Sequence, residues 1–160
     1  MSEFVNYQKR GIELPLGCKD LIDVLPPPRE ARIPAEGLAH IERYLSRLLQ
    51  SPTGCRSVWI CSFTIPLHLS LVYSKGLLRA LIFLTTEREE PVRAVLSRAG
   101  ILPTQDNIMG GDGPFSRFLL CSLPADVARA ERFVSELLRS GYGLPEDVLL
   151  DFRYDEKDAN

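Results

Sequence analysis

The sequence predicts an α+β domain, a largely antiparallel sheet of about five to six strands with helices packed on it. Three observations predict it. Oily residues alternate along several short segments, the period of a strand lying on a core. Elsewhere they recur every three to four residues, the period of a helix with one buried stripe. Short turn-forming stretches join successive strand segments, so neighbours pair as hairpins. A length of 160 residues suits one domain, and 45% apolar with 25% charged residues supplies a core.

The predicted order is arm-α-β-β-β-α-β-β-α-β. Residues 1–33 read as an N-terminal arm. Within it Leu21, Ile22, Val24 and Leu25 cluster among Lys19, Asp20 and Asp23, which suits one or two turns of amphipathic helix. Pro26, Pro27 and Pro28 stop that helix and continue it as a stiff, extended spacer. The main domain, 34–155, opens with a helix over 35–49. Its stripe is Leu38, Ile41, Leu45, Leu48 and Leu49; Pro34 suits the first turn, and Ser51-Pro52-Thr53-Gly54 ends it.

Three strands follow. Residues 58–65 set Trp59, Cys61, Phe63 and Ile65 on one face and Val58, Ile60, Ser62 and Thr64 on the other. Residues 67–73 set Leu67, Leu69, Leu71 and Tyr73 against His68, Ser70 and Val72, with Pro66 marking a bend or an edge between the two strands. Ser74-Lys75-Gly76 reads as a tight hairpin turn. Residues 77–85 are apolar on both faces except at Arg79, as a central strand covered on each side would be.

A second helix spans 89–99, with Val92, Val95, Leu96 and Ala99 inward and Gly100 closing it in a left-handed conformation. A hairpin joins 107–109 to 115–123 through Gly110-Gly111-Asp112-Gly113-Pro114. The last helix spans 125–140, with Val127, Val134, Leu137 and Leu138 inward and Gly141 as its stop. Residues 148–154 alternate Val148, Leu150, Phe152 and Tyr154 against Asp151 and Arg153, a half-buried edge strand; 156–160 read as a frayed tail. From residue 35 to 140 the order of elements resembles that of the small secretion-chaperone type of α+β fold, a likeness of order that no residue motif carries.

Composition excludes some functions. A net charge of −2 with both signs scattered argues against a general nucleic-acid binder, which needs a basic surface. The longest apolar run, 77–84, is short and holds Arg79, so no membrane span is expected. The Met-Ser-Glu-Phe start lacks the pattern of a secretory signal, and a cytoplasmic location follows as the expectation. Cys18, Cys55, Cys61 and Cys121 form no CxxC pair and read as small core residues in a reducing compartment. The glycine loop lacks the lysine and following helix of a phosphate loop and reads as a turn. Asp106, Asn107 and Asp112 lack the ligand spacing of a calcium loop. Neither metal nor cofactor is expected.

Two function readings remain. The first is a non-catalytic interaction or assembly module of the chaperone or adaptor kind, binding a protein partner or self-associating as a homo-oligomer through its arm. Its candidate contacts are Leu21, Ile22, Val24 and Leu25, with a cationic strip of His40, Arg43 and Arg47 beside Tyr44 on the first helix. The second is a small enzyme or small-molecule binder whose pocket chemistry comes from Cys61, His68 and Cys121. Missing catalytic motifs favour the first. Arg129, Arg132, Glu136 and Arg139 read as the solvated face of the last helix. Lys9-Arg10 with Tyr7 is too small a cationic group for nucleic acid.

Overall fold

Alternation along the chain builds the sheet. A computed structural model describes residues 36–50, 54–62 and 65–157. The arm, Pro34, the helix stop at 51–53, Phe63, Thr64 and the last three residues lie outside the described set. Six strands form one sheet: β1 (Cys55–Ser62), β2 (His68–Ser74), β3 (Leu77–Leu84), β4 (Pro103–Ile108), β5 (Arg117–Leu123) and β6 (Leu150–Lys157). Their spatial order is β4-β5-β3-β2-β1-β6, and every neighbouring pair is antiparallel. The helices are α1 (Ile41–Leu48), α2 (Glu89–Ala99) and α3 (Val127–Glu136). The predicted α+β class, the interior place of β3 and the edge place of β6 are all found.

The three helices lie on one face of the sheet. Ile41, Leu45 and Leu48 of α1, Val92, Val95 and Leu96 of α2, and Ala130, Phe133 and Val134 of α3 share one core with Val58, Ile60, Leu69, Leu71, Ala80, Ile82, Leu119 and Phe152. The opposite side chains of the same strands form a second apolar cluster, of Trp59, Val72, Leu81, Phe83, Phe118 and Leu120 with Met109 and Phe115. Among the described residues, no buried helical side chain belongs to it.

Turn chemistry holds the strands in register. Lys75 (φ 54°) and Gly76 (φ 75°) both take positive φ, the two-residue hairpin whose twist matches its strands. Gly100 closes α2 at φ 68°, with its N–H on the Leu96 and Ser97 carbonyls, as the spacing predicts. The glycine loop joins β4 to β5, so its reading as a hairpin connection holds.

Element ends depart from expectation in several places. The first strand, expected over 58–65, runs Cys55–Ser62, because its register with β2 and β6 extends the ladder back to Cys55. The helix expected over 35–49 starts only at Leu38, with a 3₁₀ turn over Leu38–His40. Glu36 instead exchanges two backbone hydrogen bonds of 2.7 Å with Leu150, and the extended Gly37 separates that bridge from the helix. β4 begins at Pro103 rather than 107, because an edge strand tolerates proline at its first residue and needs no apolar alternation. The last helix ends in a π-turn over Leu137–Gly141, where Tyr142 N–H bonds the Leu137 carbonyl, which lets Leu137, Leu138 and Tyr142 all point inward. β6 continues to Lys157, two residues into the expected tail; Arg56 meets Glu156 there at 2.9 Å, across the β1–β6 pair.

Candidate functional site

Register creates what spacing alone leaves open. On the face turned away from the helices, β1 presents Ser57, Trp59 and Cys61, and β2 presents His68, Ser70 and Val72. Cys61 stands directly opposite His68 on one side and opposite Asp151 of β6 on the other. Directly opposed residues of an antiparallel pair have Cα atoms about 4.5–5.5 Å apart. The sheet therefore lines up carboxylate, thiol and imidazole in one row, with the thiol in the middle. His68 is buried and meets the Phe115 ring edge-on at 5.0 Å. Asp151 accepts a hydrogen bond from Arg153 at 3.3 Å.

The third predicted candidate, Cys121, lies elsewhere. It faces the helix-covered core opposite Ala80 and is fully buried. Burial, with a smaller contribution from the negative charge of Asp106, pushes its thiol up to about 12. At neutral pH it is a protonated core side chain, not a nucleophile. The sheet itself separates it from Cys61 and His68.

A second constellation gathers guanidinium groups. At the C-terminal end of α2 the chain turns at Gly100 and runs through Ile101 and Leu102 beside the first turns of α3. The groove between them holds about 660 Å³. Val95, Phe133 and Pro124 supply apolar walls, and Arg98, Arg129 and Arg132 supply three positive charges. One carboxylate, Glu136, also lines it and pairs with Arg98 at 3.0 Å. Arg129 and Arg132 have no ion-pair partner among the described residues. Leu102 stands at this groove 84% exposed, an apolar side chain held out in water. The arrangement suits a ligand with negative charge and some apolar surface, since a guanidinium grips carboxylates in a planar fork.

The predicted strip on α1 stays at the surface, where its side chains contact neighbours within the same chain. Glu36 takes Arg43, the Tyr44 hydroxyl at 2.9 Å and His40 at 3.1 Å. Arg47 stacks over the Tyr154 ring at 3.9 Å, and Tyr44 stacks flat on Phe152 at 4.8 Å. His40, Arg43 and Arg47 thus fasten α1 to β6 and to Glu36. Burial, helped by Glu36, raises the Tyr44 hydroxyl above its ordinary value, against the pull of Arg43.

Leu21, Ile22, Val24 and Leu25 lie outside the described residues. Among those described, no group of three or more His, Cys, Asp or Glu side chains is placed to hold a metal ion. The groove is what sequence reading missed. Arg129, Arg132 and Glu136 are legible at helical spacing as one face of a helix. Arg98 comes from another helix 31 residues earlier, and only packing brings it alongside. Searches of protein-family models, of curated proteins and of solved structures find no match for this chain.

Proposed function

We propose that this chain is a non-catalytic protein-interaction or assembly module, of the adaptor or chaperone kind, that receives an acidic, partly apolar segment of a partner protein between α2 and α3. The observation that carries the reading is the arginine groove. Three guanidinium groups against one carboxylate leave a net positive cleft on a chain whose overall charge is −2. Charge complementarity selects an acidic partner, and the exposed Leu102 with the Phe133 wall selects one that also brings apolar side chains. The cytoplasm is the matching compartment, since the buried Cys121 is an unoxidised thiol.

The test is binding of a labelled peptide with glutamate and leucine at helical spacing, followed by fluorescence anisotropy. Arg129→Glu with Arg132→Glu should weaken binding roughly a hundredfold, about tenfold for each guanidinium replaced, while the melting temperature stays put. Equal affinity in wild type and variant would remove the groove from the reading.

One observation favours a second reading, a small enzyme or ligand-binding protein built around Cys61 and His68. These two residues are opposed across the β1–β2 ladder, as a thiol and its general base need to be. In the folded protein Cys61 should then alkylate at neutral pH far faster than Cys55 or Cys121, and His68→Ala should slow it at least tenfold. Uniformly slow labelling eliminates this alternative.

A further inference from the structure

We infer that the chain's own N-terminal segment, residues 1–35, lies across the second face of the sheet as a third layer, with Leu21, Ile22, Val24 and Leu25 on Trp59 and the phenylalanines around it. The burial of that face is the starting point. Ser57 and Ser70 are 0% exposed, Phe118 and Leu120 1%, and Trp59 2%, yet all three described helices pack on the other side. The Ser57 and Ser70 hydroxyls are buried with no hydrogen-bond partner among the described residues. An apolar cover leaves them so, whereas a face open to water would hydrate them.

Chain geometry selects the occupant. The described chain begins at Glu36, bridged to Leu150 at the β6 edge, in the row next to Cys61 and Asp151. Ten residues, 26–35, separate that edge from Leu25 and span up to about 33 Å when extended. Crossing from β6 to β4 takes five strand spacings, about 24 Å. The apolar cluster therefore reaches the middle of the face without leaving its own molecule, and Pro26, Pro27 and Pro28 keep the connecting piece extended. Charge agrees as well: Asp20 and Asp23, with Lys19, lie among the apolar residues, and Arg79 stands on the face they would meet, beside the Arg153–Asp151 pair.

Trp59 is the only tryptophan of the chain and sits in this face, so its fluorescence reports the cover directly. The experiment uses the full chain and the variant Leu21→Asp, Ile22→Asp, Val24→Asp, with mass in solution measured in parallel. A covered Trp59 is shielded from acrylamide in wild type. In the variant it emits at longer wavelength and is quenched several-fold more, while both proteins stay monomeric. Unchanged emission and quenching in a folded variant overturns the inference. So does a dimer whose dissociation on dilution exposes Trp59, which assigns the cover to a second copy. Should the triple variant fail to fold, Val24→Cys in the full chain decides. A short bis-maleimide joining it to Cys61 within the monomer fraction supports the inference, and a joint found only between molecules, or none, overturns it.

Discussion

Two helices of this protein each carry a row of cations, and they end in opposite states. On α1, His40 and Arg43 converge on Glu36, and Arg47 lies on the ring of Tyr154. Between α2 and α3, Arg129 and Arg132 keep no acidic partner among the described residues, and only Arg98 is paired, to Glu136. Helical spacing displays both rows equally well. The difference lies in what each packs beside. α1 runs next to the bridged Glu36 and the aromatic residues of β6, whereas Arg129 and Arg132 of α3 line a groove to which the end of α2 adds a third arginine. A cation is available to a partner only where the fold leaves its charge unanswered.

The largest expected effect falls on the core under α1. Leu45 is a fully buried residue of that helix, so Leu45→Ala should cost about 3 kcal/mol in denaturant unfolding and loosen Arg47 from Tyr154. A loss below about 1 kcal/mol would mean that the surface contacts of Arg43 and Arg47, not the core, fix α1. Next comes Glu36→Gln, which removes the acid shared by Arg43, His40 and Tyr44. It should cost about 1 kcal/mol and turn the strip into a second weak site for the acidic peptide. Unaltered stability with no gain in binding would break the contrast between the two rows.

The smallest effect is a pH dependence. Arg117 and Arg93 bond Asp106 at 2.6 and 2.7 Å, tying β4 and β5 to α2. Burial opposes ionisation of Asp106, but the hydrogen bonds from the two arginines outweigh it and hold the carboxyl below its ordinary value of 3.8. With a depressed folded pKa, the stabilisation is fully present above that ordinary value. It is lost as pH falls through the lower folded one. Asp106→Asn should lower the melting temperature slightly at pH 7 and flatten its decline below about pH 4. Parallel acid limbs in the two proteins would show that this network contributes nothing.

Particular residues show where legibility stopped. The α2 helix is found at the predicted bounds because a three-to-four apolar stripe, acidic residues in the first turn and a closing glycine all agree. The first four residues of β4 escape sequence reading because Pro103-Thr104-Gln105-Asp106 carries no apolar alternation. An edge strand with one wet side is held by its neighbour's ladder, not by its own pattern. The candidate site was half legible. Cys61 and His68 are visible as residues of two strands on matching faces, but their opposition depends on the pairing register. The arginine groove depends on which helices become neighbours, and no local period encodes that.

Alone, the sequence determined the class of fold, the rough order of its elements and most of each helix's inward stripe, because those follow from chain-local periods of 2 and 3.6 residues. Ala99, expected inward, is exposed, and Ala130 and Phe133 are inward outside the predicted stripe. Tertiary structure alone decided the strand order, the row of Asp151, Cys61 and His68, the pairing of Arg43 with Glu36 and of Arg47 with the Tyr154 ring, and the meeting of Arg98 with Arg129 and Arg132. The physical reason is range. Propensity and burial act on neighbours along the chain, whereas a site is made of groups far apart in sequence that only a specific packing brings within a few ångströms.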